Sequence, residues 1–275
     1  MKQREERPTA GITDSSSPGD GEEKVPFCIE DYGNHFALSG MNSGCSNAML
    51  GKVCIVAFLV QEQGSAWKDR DLDAIVQVLK KATELIKAQS GLSDNKLAMS
   101  YAYDKVSVQL KYDRKNYPQV ERDVLEQYGH QSAAQYQEHY EKKFSKDEAP
   151  VVFIFNKDFR SFAGKSSERD SSDDEWSFVA YSGNVERCVV TLVHELLHQF
   201  GAIDYYYPER VKQVAEKLFP DSIMLHGSAI DPLTRYLIGW DEEIDEKAAE
   251  FLLATKDVTE EEIRIARIRD RDNDW

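Results

Sequence analysis

The sequence predicts an α/β (α+β) fold in which a mixed, twisted sheet carries an edge strand and packs against one buried helix. Two continuous apolar runs rich in β-branched residues, Val53–Val60 and Val151–Phe155, are typical of strands covered on both faces. Elsewhere, apolar residues recur at spacings of three and four, which is the helical period. Strands that alternate with helices in this way favour a layered sandwich.

The first half of the chain supplies most of the predicted sheet. An amphipathic helix follows the first strand and ends near Gly91. Two stretches of alternating apolar residues, 97–103 and 106–112, are each predicted to be a strand with one covered face. A second helix with a polar surface is expected over 120–144. The apolar positions of the two helices are Leu72, Ile75, Val76, Leu79, Ala82 and Ile86, then Val120, Val124, Tyr128, Tyr136, Tyr140 and Phe144.

The second half of the chain is expected to contain a polar loop over 163–175. The short alternating stretch Ser177–Ser182 follows it, as expected of an edge strand. Near the C-terminus, Thr259 and Glu262 have the spacing of a capping box that opens a last helix.

We divide the chain into four parts. Residues 1–24 are polar and rich in Ser, Gly, Pro and Glu, which predicts a disordered tail. Residues 25–51 have no clear periodicity and form an N-terminal extension of unclear structure. Residues 52–240 are predicted to be the one functional domain, and residues 241–275 an acidic helical C-terminal segment.

Composition excludes several classes of function. The chain of 275 residues has a net charge of −15 and repels phosphate backbones, so nucleic acid is not an expected partner. The longest apolar run has eight residues, too few to span a membrane. No secretory signal is recognisable, so we expect a cytoplasmic monomer, or a secreted one if a signal was already removed. The scattered cysteines argue against a disulfide framework, and Cys54 and Cys188 are predicted to be buried free thiols.

Residues 188–200 read CVVTLVHELLHQF and are apolar on nearly every face, which predicts a buried helix. His194, Glu195 and His198 interrupt that pattern. Positions i and i+4 differ by about 40° around a helix, so the two imidazoles share a face. Buried polar groups without partners cost roughly 1–3 kcal/mol each, and one divalent metal would satisfy both histidines. Two imidazoles, a carboxylate and an open water position match a catalytic zinc site.

Glu195 follows the first histidine directly and cannot easily become a third ligand. It can reach the fourth, water-filled position and take the proton of a zinc-bound water, whose pKa is lowered to about 7. The resulting hydroxide would attack a polarised carbonyl, and Glu195 would pass its proton to the leaving amine. Glu195 is therefore predicted to be the general base.

The continuation HELLHQFGAID extends the motif. Gly201 can adopt the left-handed conformation that ends a helix, so the chain can turn and return Asp204 to the metal as a third ligand. This string resembles the motif of metzincin metallopeptidases, HExxHxxGxx followed by His or Asp, and its Asp form is similar to snapalysin-like bacterial enzymes. The resemblance implies that residues 52–240 form a zinc-dependent endopeptidase, with His194, His198 and Asp204 as ligands and Glu195 as the base.

Other features fit the same resemblance. Met224, 20 residues after Asp204, is the candidate for the family's Met-turn beneath the metal. Asp231-Pro232 would cap and open a closing helix that continues to Trp240. The resemblance also implies that a peptide or protein substrate pairs antiparallel with the edge strand, here residues 177–182.

One departure concerns the transition-state donor, a Tyr two residues after the Met in some metzincins. That position is His226 in this chain, so the donor stays open among His226, Tyr205–Tyr207 and Tyr236. The third ligand also has rivals. Glu216 lies 18 residues after His198 on a predicted helix over 210–218, and His226 is another choice.

Two other functions compete with the peptidase. One is a non-catalytic peptide-binding module on a metallopeptidase scaffold, with zinc as a structural element. The intact Glu195 argues against it, because a purely structural site has no need of that carboxylate. The other is a buried helix whose histidines are satisfied without metal.

Overall fold

We describe the protein from a computed structural model, which covers residues 32, 35–39, 46–64, 66–109, 111, 117–165 and 175–273. In chain order, the elements of this part of the chain are β1 (Gly51–Gln61), α1 (Asp69–Ser90), β2 (Leu97–Ser107), α2 (Tyr117–Glu126), α3 (Ala133–Phe144), β3 (Val151–Phe155), β4 (Phe162–Lys165), β5 (Glu175–Ala180), α4 (Val185–His198), α5 (Glu209–Leu218), α6 (Pro232–Leu237), α7 (Glu246–Thr255) and α8 (Glu260–Asn273).

The strands form one five-stranded sheet in the order β2-β1-β3-β5-β4. Strands β2, β1, β3 and β5 run parallel to one another, and β4 runs antiparallel to β5 at one edge. The prediction of a mixed α/β fold is thereby confirmed, and the sheet is mostly parallel.

Both faces of the sheet are covered, which explains the continuous apolar run of β1. Successive side chains of a strand point to opposite faces. One set of β1 residues packs with α1 and α4, namely Val53, Ile55, Ala57 and Leu59. The alternate set packs with α2 and α3, namely Cys54, Val56, Phe58 and Val60.

The first half of the chain differs from the prediction in two places. The two strands predicted over 97–103 and 106–112 are one strand, β2, which pairs with β1 along its whole length and ends at Ser107. The single helix predicted over 120–144 is divided into α2 and α3. Gly129 has a φ of 78° between them, and Ser132 caps α3 by accepting a hydrogen bond from the Gln135 backbone.

The prediction of an edge strand over 177–182 was wrong, because β4 covers the outer side of β5. Strand β4 begins at Phe162 and continues into the stretch predicted to be a loop over 163–175, and Glu175 already belongs to β5. Gly164 allows this pairing, because a Cβ atom there would lie 1.9 Å from the Trp176 ring. A glycine within a polar stretch is typical of a loop, so the sequence pattern did not predict this strand.

Several helix boundaries agree with the sequence. Helix α1 ends before Gly91, which has a φ of 64°. Asp231 caps α6 with Pro232 in its first turn, although the helix ends at Leu237 rather than Trp240. Thr259 and Glu262 form the predicted capping box, with a 3.2 Å hydrogen bond from Glu262 N to Thr259 Oγ1.

The division of the chain at residues 52 and 240 stays a prediction, but contacts cross both positions. The indole of Trp240 donates a 2.9 Å hydrogen bond to the Met49 carbonyl. In α7, the ring of Phe251 lies 5.2 Å from that of Tyr205. The tail 1–24 and most of residues 25–51 lie outside the described residues.

Two predictions from composition concern burial and membranes. Cys54 and Cys188 are buried and free, as expected. Among the described residues, no helix has the length and apolar character needed to cross a membrane.

Candidate metal centre

Helix α4 carries the polar motif on an otherwise apolar segment. Asn184 caps it by accepting a 3.0 Å hydrogen bond from Arg187 N, so the helix begins three residues before the predicted start at 188. His194 and His198 lie on one face, and their side chains are 12% and 17% exposed. The apolar side of the helix is buried in the core through Val189, Leu192, Val193, Leu196 and Leu197.

Backbone carbonyls orient both imidazoles. His194 Nδ1 lies 2.7 Å from the Ile223 carbonyl oxygen, and His198 Nδ1 lies 2.8 Å from that of Ala202. A carbonyl can only accept, so Nδ1 is the protonated nitrogen in each contact. A neutral histidine held in this way presents a lone pair at Nε2, and the two Nε2 atoms are 3.2 Å apart.

The turn after α4 brings Asp204 to these nitrogens. Gly201 has a φ of 96°, which is easily accessible only to glycine, and the chain reverses there. Asp204 Oδ1 lies 3.2 Å from Nε2 of His194 and 3.2 Å from Nε2 of His198. The three atoms therefore form a triangle with nearly equal sides, in which Oδ1 is buried and has no aligned hydrogen-bond donor.

The charges of the Asp204 carboxylate and the two imidazoles affect one another's pKa values. Burial disfavours the charged forms of Asp204 and His194, but the attraction between their opposite charges outweighs this effect. The pKa of Asp204 is held well below its usual value by the two imidazoles. Burial lowers the pKa of His194, yet the Asp204 carboxylate raises it overall to about 9. The geometry thus favours a positive charge among the three atoms, either a proton on an imidazole or a metal cation.

Glu195 lies beside the triangle and is buried. The ligand-capable atoms of His194, Glu195 and His198 are all within 4.8 Å of one another, an arrangement that could hold a metal ion. Burial raises the pKa of Glu195, while the two imidazoles and a hydrogen bond from the Ala163 backbone N–H act in the opposite direction. Ala163 belongs to β4, so the edge strand passes directly beside the Glu195 carboxylate.

The backbone of Glu195 is also tied to the sheet. Ser177 Oγ in β5 donates a 2.9 Å hydrogen bond to the Glu195 carbonyl. Gln199 donates in turn to Ser177 Oγ at 2.8 Å and to the Val151 carbonyl at 3.1 Å. These bonds join the last turn of α4 to two strands.

A turn over 222–226 lies beneath His194. Ile223 supplies the carbonyl that orients this histidine, and the next residue, Met224, is fully buried. Tyr205 N donates a 3.0 Å hydrogen bond to the Met224 carbonyl, which joins the turn to the segment after Asp204. The sequence-based prediction that Met224 belongs to a Met-turn stays a prediction.

The candidate donors separate by environment. The Tyr205 hydroxyl donates its proton to a 3.0 Å hydrogen bond with Asp231 Oδ1 inside the core, so that proton is not directed at the triangle. The Tyr206 ring lies 6.0 Å from that of His194 and 5.2 Å from that of His226. Burial and the carboxylates of Asp204 and Glu195 raise the pKa of Tyr206. The Tyr206 hydroxyl therefore stays protonated, on a ring that lies close to that of His194, while the choice of donor stays a prediction.

The rival ligands do not join the triangle. Glu216 is exposed on α5, where its carboxylate lies 3.6 Å from the ammonium group of Lys212. His226 is exposed and contacts Tyr206 through its ring.

Sequence reasoning missed two contributors to the site. Ala163 lies in a stretch that resembled a loop, and its contribution is a backbone N–H that no residue type signals. Asp231 was identified only as a helix cap, whereas its carboxylate also binds Tyr205 and Ser222.

Comparison with known proteins leaves the family open. No protein-family model and no curated protein matches the chain. Among solved structures, the chain is similar to metalloproteinase-II from Bacteroides fragilis, with a TM-score of 0.38 and 11% sequence identity. The match covers 67% of this chain and 52% of that protein, so the chain spans about half of its length.

Proposed function

We propose that the protein is a zinc-dependent endopeptidase of metzincin type. The triangle formed by His194 Nε2, His198 Nε2 and Asp204 Oδ1 carries the proposal. With sides of 3.2 Å, these atoms leave a point about 2.0–2.1 Å from all three just outside their plane. That distance is the usual one from zinc to histidine nitrogen or carboxylate oxygen. The donor set of two imidazoles and one carboxylate also suits a catalytic zinc with an open position.

A proton alone explains the triangle less well. A proton on one Nε2 would satisfy Asp204 Oδ1 and that imidazole, but it would leave the Nε2 of the other imidazole without a donor. Both imidazoles already use Nδ1 as the donor to a backbone carbonyl. An ion coordinated by all three atoms would satisfy each of them at once.

The residues of the chain then have separate roles. Bound zinc would polarise the scissile carbonyl and increase the acidity of water at the open position. Glu195 would accept the proton from the attacking water and deliver it to the leaving amine. Burial, which raises the pKa of its carboxyl group, suits a base that must also act as an acid near neutral pH. Met224 and the turn over 222–226 would hold His194 from below.

We place the substrate along β4 rather than along residues 177–182. Among the described residues, β4 pairs with no strand other than β5, and we propose that a peptide binds along its other edge. The hydrogen bond from Ala163 N–H to Glu195 supports this choice, because it brings that strand to the general base. An extended peptide that added to β4 would pass over the metal triangle.

The alternative of a non-catalytic peptide-binding module uses the same edge and the same metal. It gives no reason for a buried carboxylate next to the open position, where burial makes the charged form costly. The two functions differ in whether the protein cleaves the bound peptide with Glu195 as the general base.

The decisive experiment measures zinc content and peptide-library cleavage for the wild type, Glu195→Gln and Glu186→Gln. Glu186 is the matched control, because it lies on the same helix with 74% of its side chain exposed. We expect about one zinc per chain in all three proteins. Glu195→Gln should lose activity by at least about 10²–10⁴-fold, and Glu186→Gln should match the wild type.

Each outcome is informative. A wild-type protein with less than about a tenth of an equivalent of zinc would contradict the metal site. Full activity in Glu195→Gln would contradict the role of the base. A zinc-loaded wild type that binds peptides without cleaving any of them would favour the binding module.

A further inference from the structure

The Asp231 carboxylate is a buried junction of hydrogen bonds. The residue is 5% exposed. Its Oδ1 accepts from Thr234 N and from the Tyr205 hydroxyl, each at 3.0 Å. Its Oδ2 accepts from Ser222 Oγ and from Thr234 Oγ1, each at 2.7 Å. A helix N-cap requires only the bond from Thr234 N, so three of these four bonds need another explanation.

Two of the donors belong to the segments that hold the metal triangle. Tyr205 follows Asp204 directly in the chain, and its hydroxyl reaches Asp231 from the core. Ser222 precedes Ile223, whose carbonyl orients His194, and Ser222 Oγ accepts a 3.0 Å hydrogen bond from Met224 N. One carboxylate therefore binds the segment that carries the third ligand and the turn that orients the first.

The surrounding packing favours a fixed geometry. Tyr205 is fully buried, with its ring 5.9 Å from Phe219 and 5.2 Å from Phe251. Tyr205 N also donates to the Met224 carbonyl, so the two segments are joined through main chain and side chain. Gly227 makes the turn compact, because a Cβ atom there would lie 2.0 Å from the Asp221 carbonyl oxygen.

We propose that Asp231 is a positioning residue that sets the spacing between Asp204 and His194 by holding Tyr205 and Ser222. This inference rests on the proposed zinc site. Partners behind the ligands commonly change metal affinity by about 10–100-fold when they are removed.

The test compares zinc affinity of the folded apoprotein, measured by competition with a chelator of known affinity. Tyr205→Phe removes the hydroxyl that binds Asp231 and leaves the cap of α6 unchanged. Asp231→Asn preserves a good cap but replaces one acceptor oxygen by an amide donor. We expect each variant to bind zinc about 10–100-fold more weakly than the wild type.

Two controls separate positioning from general stability. Asp245→Asn alters another aspartate cap, at the exposed start of α7, where the side chain accepts from Lys247 N at 2.8 Å. It should leave zinc affinity within about twofold of the wild type, since Asn and Asp cap equally well. Ile86→Ala removes buried core volume in α1 and should lower the unfolding free energy without a comparable loss of affinity.

The inference is overturned if Tyr205→Phe binds zinc as tightly as the wild type, even where Asp231→Asn fails to fold. It is also overturned if Ile86→Ala loses as much affinity as Tyr205→Phe. A wild type that binds no zinc would instead contradict the proposed function itself.

Discussion

Asp204 Oδ1 lies 3.2 Å from His198 Nε2 and is buried without an aligned hydrogen-bond donor. The two residues are six positions apart, and the turn at Gly201 brings them together. This relationship distinguishes Asp204 from Glu216, whose exposed carboxylate lies 3.6 Å from the ammonium group of Lys212.

The first prediction concerns the third ligand. Asp204→Ala should lower zinc affinity by more than about 100-fold, because removing even a partner behind a ligand costs about 10–100-fold. Glu216→Ala should leave affinity unchanged, because that carboxylate is exposed and faces Lys212. Chelator competition on both variants measures the difference. The reverse ranking would assign the ligand to Glu216.

The second prediction concerns α7 and the boundary placed at residue 240. Phe251→Ala should lower the unfolding free energy by about 3–5 kcal/mol, because the ring packs against Tyr205 and Phe219 in the core. Leu253→Ala, on the same helix but 51% exposed, should change it by less than about 0.5 kcal/mol. Urea denaturation of both variants measures the free energies. If both substitutions changed the unfolding free energy by the same small amount, the segment after residue 240 would not contribute to the core.

The third prediction concerns the edge strand. Gly164→Ala should destabilise the protein by about 1–3 kcal/mol, because its Cβ atom would enter the space of the Trp176 ring. Trp176→Leu empties that space. Gly164→Ala should therefore lower the unfolding free energy clearly less in the Trp176→Leu background than in the wild type. A double-mutant cycle of unfolding free energies tests this. Strict additivity would show that Trp176 does not pack on Gly164.

The fourth prediction concerns the buried thiols. Burial raises the pKa of Cys188 to about 12, so only about 10⁻⁴ of this thiol is ionised at pH 8. In a Cys28→Ser/Cys45→Ser variant, Cys54 and Cys188 should react with a thiol reagent only after unfolding. The absorbance of the released reagent gives the number of reactive thiols per chain, measured once in native buffer and once in about 6 M guanidinium, where the protein is unfolded. Rapid labelling of the folded protein would contradict this burial.

Local sequence was sufficient for the elements whose geometry depends on near neighbours. The spacing of His194 and His198 places both rings on one face of any α-helix, and Gly201 followed by Asp204 encodes the return of the chain. Gly91 and the pair Thr259 and Glu262 likewise marked helix ends, because caps involve residues at most a few positions apart.

Tertiary structure alone decided which strand forms the edge and what lies behind the triangle of His194, His198 and Asp204. Apolar periodicity records that β5 is buried, but not that β4 is what covers it, and Gly164 made β4 resemble a loop. Asp231 has the local signature of a cap, whereas its bonds to Tyr205 and Ser222 join residues 26 and 9 positions away. Side-chain patterns are set by burial and by neighbouring backbone, so they cannot specify partners that only chain folding brings into contact.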